Sequence, residues 1–316
     1  MSQGEKPGGS WESDVAVVIP CYNEAPTVAA VVSDFAVHLP GARIFVFDNN
    51  STDGTAERAR EAGAIVIHSP RQGKGHVLRH ATDVVDADVI ITVDGDGTYP
   101  AHAAPKLIEK LERDHLDMVV ATRLERHEAG AFPPLHRLGN RILSGLISLL
   151  FGTRLTDVLS GYRALARSCS DLVRLRRPGF EVETELTLQC LSKGLAIGEM
   201  PVEYRRRIAG SQSKLSTWTD GFLILRCILL IFKDYRPLLF YGGLAAIFGA
   251  ASLVVGSAPI RDFLEYRYVL HVPRAILAAA LAIFALVWLT AGIILDTISK
   301  YHADSMEVFK RVLRKR

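Results

Sequence analysis

Cysteine is scarce, with four in 316 residues (Cys21, Cys169, Cys190 and Cys227), far apart and with no CxxC pair. That spacing excludes a sequence-evident disulfide framework or zinc ribbon and fits a reducing compartment. A charge imbalance is also missing. The 37 Lys and Arg against 34 Asp and Glu leave +3, and no nucleic acid partner is expected where no basic stripe dominates. No internal repeat or low-complexity tract is visible. Residues 1–13 are polar and glycine-rich and lack the apolar centre of a signal peptide. A flexible tail is expected there, and nothing marks the domain that follows for export. The 49% apolar and 22% charged composition is globular,, and the length suggests two structural units.

What the chain does have is two long apolar runs. Leu238–Ile260 carries no formal charge between Arg236 and Arg261, and Ala275–Leu295 carries none between Arg274 and Asp296. About 20 apolar residues span the hydrocarbon core of a bilayer as a helix, and core helices of soluble proteins rarely run so long uncharged. A membrane protein with a large soluble part is expected. Lys233 and Arg236 precede the first run, and Lys300, Lys310, Arg311, Arg314, Lys315 and Arg316 follow the second. The loop between holds Arg261, Arg267 and Arg274 beside Asp262 and Glu265. Only Lys and Arg weigh in this comparison, and they favour a two-helix hairpin with both termini, and with them the amino-terminal domain, cytoplasmic.

From Asp14 onward, short β-branched runs alternate with helical patterns. The strand candidates are 15–19, 43–48, 64–68, 88–94 and 117–122, with helical patterns at 26–39, 52–63, 75–86 and 101–114. This alternation predicts an α/β domain whose mostly parallel sheet is covered on both faces. Ligands of such sheets sit at the carboxyl ends of the strands, and that edge is where the polar motifs fall. After about residue 125 the pattern loosens. Residues 142–153 are apolar but too short to span, and 217–233 are strongly apolar with isolated charges. Either is ordinary core or an amphipathic helix lying in the membrane interface.

Asp94-Gly95-Asp96 directly follows a buried-strand pattern. Carboxylates at i and i+2 on extended chain point the same way. Two hard oxygen donors with room for water and phosphate suit magnesium or manganese, although the plainer reading is a solvated Asp-Gly turn. The first strand ends in Pro20-Cys21-Tyr22-Asn23-Glu24, and the second in Asp48 followed by Asn49–Thr55. Ser51, Thr52 or Asp53 would cap the next helix. Capping leaves Asp48 unexplained, and it could accept from a base or ribose. Gln72-Gly73-Lys74-Gly75 precedes a helix without P-loop spacing, so Lys74 is a candidate for a diphosphate on weaker grounds.

In order, PCYNE (20–24), DNNSTDGT (48–55), QGKG (72–75), DGDGTYP (94–100), DVLSGYR (157–163), FEVETEL (180–186) and GSQSKLST (210–217) resemble a family-2 glycosyltransferase of the polyprenyl-phosphate branch. The chain is similar there to dolichol-phosphate mannose synthases and bacterial polyprenyl-phosphate glucosyltransferases. The resemblance covers about Asp14 to Pro237 and implies a GT-A-type fold. It implies that Pro20, Tyr22, Glu24 and Asp48 hold base and ribose, and that Asp94, Gly95 and Asp96 form a DxD motif for Mg2+ or Mn2+ on the donor diphosphate. Arg123 and Arg137, then Arg207 and Lys214, match cationic positions around the donor diphosphate and the acceptor phosphate. Asp157 matches a position proposed as a base. One departure is that mannose synthases commonly place Gln where this chain has Thr98, which favours a UDP-sugar over GDP-mannose.

The chemistry follows without the family. Displacing a nucleoside diphosphate from an anomeric carbon requires charge stabilisation by a metal and by Lys or Arg. A phosphate monoester, with a second pKa near 6, is already nucleophilic at neutral pH. An orienting role for Asp157 is therefore preferred to that of a base, and Glu183 and Glu185 either shape the sugar site or pair with Lys and Arg. The expected reaction is a single inverting displacement that gives a polyprenyl-phosphate sugar, from dolichyl or undecaprenyl phosphate. A processive polysaccharide synthase would carry QxxRW and generally more spanning helices. A catalytically silent membrane partner or nucleotide-sugar sensor has no need of DGD and Lys214. The expected organisation is a tail (1–13), a glycosyltransferase domain (14–216), an amphipathic interface helix (217–236), a transmembrane hairpin (237–298) and a basic cytoplasmic tail (299–316). The two spanning helices can pack within one chain or between copies, so a homo-oligomer is left open.

Overall fold

The computed structural model of the chain describes residues 13–127, 134–175, 179, 182–205, 226, 229–230 and 232–313. The chain divides into two compact units at Ile224/Leu225.

The first unit is built on a seven-stranded sheet in the order β3-β2-β1-β4-β6-β5-β7. Its strands are β1 (Val15–Cys21), β2 (Arg43–Asp48), β3 (Ile65–His68), β4 (Val89–Thr92), β5 (Met118–His127), β6 (Arg163–Ala166) and β7 (Ile197–Tyr204). All neighbouring pairs are parallel except the two that involve β6. The described helices of this unit are α1 (Val28–His38), α2 (Thr55–Glu61), α3 (Lys74–Val84), α4 (Ala104–Arg113), α5 (Pro134–Phe151), α6 (Arg167–Leu172) and α7 (Val182–Ser192).

β1 and β4, at the centre of the sheet, are apolar almost throughout because both of their faces are buried. Val17 and Ile19 of β1 pack with Val28, Phe35, Leu107 and Ile108 on one side. Ala16 and Val18 pack with Phe47, Val77, Leu165 and Leu186 on the other. Each such large side chain contributes about 1.5–3 kcal/mol of burial. The mostly parallel, doubly covered sheet expected from the alternation is what the chain forms. β6 and β7 lie beyond the region where strands were expected. Asp94–Asp96 also differs from expectation: β4 ends at Thr92, and Gly95–Asp96 is a turn rather than extended chain. A Cβ on Gly95 would stand 2.5 Å from Cys21 Sγ, so the turn lies close on the end of β1.

The second unit contains two long helices, α8 (Pro237–Tyr266) and α9 (Val272–Leu313). Pro237–Tyr266 and Val272–Tyr301 are long and apolar enough to cross a bilayer. Glycines of this pair face the partner helix: an added Cβ would meet Ala285 Cβ at 3.9 Å from Gly249, Ala278 Cβ at 3.3 Å from Gly256 and Tyr241 Cβ at 3.0 Å from Gly292. Ser252 Oγ donates to the Ala278 carbonyl at 2.8 Å. Small residues let membrane helices approach closely, where packing rather than the hydrophobic effect drives association. The residues expected as an interface helix (217–236) are described only at 226, 229–230 and 232–236. Within the expected tail, the helix runs on to Leu313.

Candidate functional site

The first two motifs zip together at the carboxyl ends of β1 and β2. The Asn23 N–H donates to Ser51 Oγ, the Glu24 N–H to Thr55 Oγ1 and the Ala25 N–H to Asp53 Oδ2, all within 3.0 Å. The Thr52 N–H returns a bond to Asn23 Oδ1 at 2.9 Å. Gly54 stands at the N-cap of α2 without a side-chain bond, while Asp53, one residue earlier, accepts from the Thr55 N–H at the start of the helix through Oδ1 at 3.1 Å. Asp48 and Glu24 are both buried. Asp48 Oδ1 accepts from the Ser51 N–H at 3.3 Å, and its Oδ2 stands 3.8 Å from His68 Nδ1. Pro20 is half-buried, and Tyr22 is 38% exposed.

Asn49 fixes the next loop. Its Nδ2 donates to the Ser69 and Arg71 carbonyls at 2.8 Å, and its Oδ1 accepts from the Gly73 N–H at 2.8 Å. Lys74 therefore starts α3 at a set position. Its ammonium stands 2.5 Å from Asp94 Oδ1 and 2.5 Å from Glu183 Oε1. Burial alone would lower its pKa, but the charges of Asp94 and Glu183 overcome that and hold it well above the usual lysine range,. Asp96 is buried, and its Oδ1 accepts from the Thr98 N–H at 3.1 Å and from Thr98 Oγ1 at 2.7 Å. Thr27 Oγ1 donates to the Gly95 carbonyl at 2.7 Å, tying the turn to α1.

A second cluster stands on β5 and the loop before β6. The Arg123 guanidinium grips Asp157 in bidentate fashion, Nε to Oδ2 and Nη2 to Oδ1, both at 2.8 Å. The Arg123 N–H adds 2.9 Å to Oδ2, and Asn140 Nδ2 of α5 adds 2.9 Å to Oδ1. Burial by itself would raise the Asp157 pKa, but Arg123 and these donors hold it below the usual carboxylate range,. Glu199 of β7 accepts from the N–H groups of Thr156 and Asp157 at 2.8 and 3.1 Å. Arg163, wholly buried, donates to the Ser160 and Val158 carbonyls and to Thr187 Oγ1. The 157–162 loop is thus pinned from both sides.

The two clusters meet. The Arg205 N–H, next to Tyr204, donates to the Thr98 carbonyl at 2.9 Å, and the Tyr204 ring carries the Arg123 guanidinium at 5.6 Å. A Cβ on Gly161 would stand 2.7 Å from Asp94 Oδ2. The structure therefore brings Asp94, Gly95, Asp96, Lys74, Arg123 and Asp157 to one edge. Arg137 is exposed on α5, three residues from Asn140 and so on the same helix face. Arg207 and Lys214 lie outside the described residues. Sequence reasoning missed Asn49's role in the loop, Asn140, Glu199 and Tyr204, single polar or aromatic side chains with no spacing signal. It had noticed Glu183 without a definite role.

For a divalent metal, Asp94 and Asp96 offer two hard oxygen donors at this edge. No group of three or more His, Cys, Asp or Glu forms a metal cluster among the described residues. Such a pair fits Mg2+ or Mn2+, which are commonly held by one or two carboxylates with the rest of the shell from water and substrate phosphates.

The family model of glycosyl transferase family 2 matches residues 16–171. Glycosyltransferase AglJ of Haloferax volcanii is 33% identical over 298 residues, 93% of this chain and 96% of that protein. Dolichyl-phosphate hexose transferase of the same organism is 32% identical over 224 residues, 71% of this chain and 96% of that protein. Among solved structures, Mycobacterium tuberculosis glucosyl-3-phosphoglycerate synthase with Mn2+, UDP and glucosyl-3-phosphoglycerate superposes at a TM-score of 0.57 with 22% identity. That match covers 70% of this chain and 80% of the other.

Proposed function

The chain belongs to glycosyl transferase family 2, and from that premise we propose that it moves a hexose from a nucleotide-sugar to a polyprenyl phosphate, with inversion, at the cytoplasmic face of a membrane. The observation that carries this reading is Arg123, a cation locked by Asp157 and set over the Tyr204 ring, whose neighbour Arg205 is tied by its backbone to Thr98, the residue that holds Asp96. A fixed guanidinium beside a carboxylate pair provides for two phosphate groups at one edge, one on each reactant. A relative named for dolichyl-phosphate hexose transfer and two helices of spanning length support a lipid acceptor.

Pro20, Tyr22, Glu24 and Asp48 line the base and ribose end, and Lys74 serves the diphosphate. Asp94 and Asp96 would hold Mg2+ or Mn2+, which when bound neutralises charge on the leaving diphosphate. Arg123, with Arg137, Arg207 and Lys214, receives the acceptor phosphate. An oxygen of that phosphate attacks the anomeric carbon as the bond to the diphosphate breaks. The phosphate is largely dianionic at neutral pH, so no protein base is needed. Asp157, with its oxygens engaged by Arg123 and Asn140, serves to aim the guanidinium. Thr98 in place of a side chain amide favours a UDP-sugar over GDP-mannose.

Detergent-purified protein is to be incubated with polyprenyl phosphate, Mg2+ or Mn2+, and labelled UDP- and GDP-sugars, and the label extracted into organic solvent counted. Label from one UDP-sugar, lost with EDTA and in Asp96→Asn, is the expected result. Label from GDP-mannose alone overturns the donor assignment, and no lipid-phase label with nucleotide binding intact overturns the acceptor.

A further inference from the structure

Lys74, Asp94 and Glu183 form an ion cluster with side chains only 12%, 29% and 6% exposed. Lys74 bridges the two carboxylates through one oxygen of each, Asp94 Oδ1 and Glu183 Oε1. Glu183 Oε2 is buried and has no hydrogen-bond partner among the described residues. A buried acceptor left in this state is costly, yet an ammonium with three donors stands on the same carboxylate.

Charge decides what this arrangement can do. Asp94 and Glu183 share the one ammonium of Lys74, and the buried Arg163 guanidinium also acts on Glu183, so Glu183 stays charged whichever cation Asp94 holds. An ammonium and a divalent cation on the same Asp94 carboxylate repel each other, so they are alternative counter-ions of Asp94. Gly161 lies against both Lys74 and Asp94, where an added Cβ would come within 2.9 Å of Nζ and 2.7 Å of Oδ2. The backbone therefore closes in on the pair, and the second carboxylate is what remains to take the ammonium.

We propose that Lys74 is the resident counter-ion of Asp94 before the donor arrives, and that Glu183 is the seat onto which its ammonium shifts when a metal–nucleotide complex takes Asp94. This rests on the reading of Asp94 as a metal carboxylate. Glu183 acts through Lys74 and is a positioning residue. The device discourages metal on the site alone and links metal entry to nucleotide entry, because the incoming diphosphate supplies a further partner for the displaced ammonium.

The test is a Mn2+ titration followed by electron paramagnetic resonance on the full chain in detergent, with and without UDP. Lys74→Met should bind Mn2+ alone more tightly than wild type, by about tenfold, the scale on which outer-shell changes move metal affinity. Glu183→Gln should bind Mn2+ in the presence of UDP about tenfold more weakly, with Glu183→Asp partly restoring it. Opposite signs from two partners of one cluster are not what general loosening of the fold produces. Should Lys74→Met fail to fold, the Glu183 pair carries the test alone. Unchanged Mn2+ affinity in the Lys74 and Glu183 variants, with Asp94→Asn weakened, overturns this proposal and spares the metal reading. Mn2+ binding that is absent in wild type with UDP, or indifferent to Asp94→Asn, overturns the metal reading and this proposal with it.

Discussion

Asp157 shows how far a single residue's chemistry is set by its neighbours. With Arg123 and Asn140 on its oxygens and no exposed surface, it is a poor proton acceptor. In Asp157→Asn the Arg123 charge loses its partner, and breaking a buried pair in this way costs about 3–5 kcal/mol. The Asp157 pKa is depressed in the folded state, so its contribution is present above the unfolded value of about 4 and is lost as pH falls through the folded one. Thermal melts should show the variant clearly less stable at pH 7, with the gap to wild type narrowing below about pH 4. The rate should fall while the shape of the pH–rate profile stays that of the acceptor phosphate; disappearance of the acid limb in the variant would make Asp157 the base instead. Thr98→Val removes the hydroxyl that holds Asp96 Oδ1 and should raise the metal concentration for half-maximal activity about tenfold; an unchanged metal dependence would deny Thr98 that role. Asp94, Asp96, Asp48 and Lys74 could be picked from the sequence because each ends a strand pattern or opens a helix pattern. Asn140 and Glu199 could not, since a lone polar residue on a helix or strand looks like surface until its partner is known.

At the level of elements, legibility follows burial. β1 to β5 were readable because each carries a β-branched run between turn residues. β6 has only four residues, in the sequence Arg163–Ala166, and its one charged residue points inward onto backbone carbonyls. β7 contains Gly198 and Pro201 and is mostly half-exposed; as an edge strand it tolerates a proline that a central strand would reject. The spanning helices were legible from composition, but their contact face was not, because glycine signals close approach only once the partner is in view. Gly292→Leu would force a side chain into Tyr241 and the Leu238 backbone. Overpacking of this kind costs about 1–3 kcal/mol, so the melting temperature in detergent should drop. Gly243→Leu, on the same pair of helices but with nothing within 4 Å of its added Cβ, should leave it unchanged. Equal effects at both positions would mean that the drop reflects glycine loss in general rather than the helix contact.

For the molecule as a whole, the decisive quantity is which side of the membrane the hairpin's turn occupies. Only five residues, 267–271, separate α8 from α9, so in the proposed hairpin both helices return to one side. Asp262 Oδ2 accepts from the N–H groups of Leu270 and His271 and lies 2.7 Å from His271 Nδ1, which fixes the turn. α9 has 42 residues, about 63 Å at roughly 1.5 Å per residue, against about 30 Å of hydrocarbon. In the proposed hairpin its far end, which carries Lys300, Lys310 and Arg311, lies beyond the hydrocarbon. Together with Lys233 and Arg236 these outnumber the arginines of the turn, a bias that supports the proposed cytoplasmic placement of both ends. In a chain with its cysteines replaced, Tyr268→Cys, exposed in the turn, should react with a membrane-impermeant maleimide added to intact cells. Ser13→Cys, in the large unit, should react only after lysis. The reverse pattern would place the catalytic edge on the outer face, where the proposed donor would not reach it, and would overturn the cytoplasmic assignment even if the glycosyltransferase reading stood.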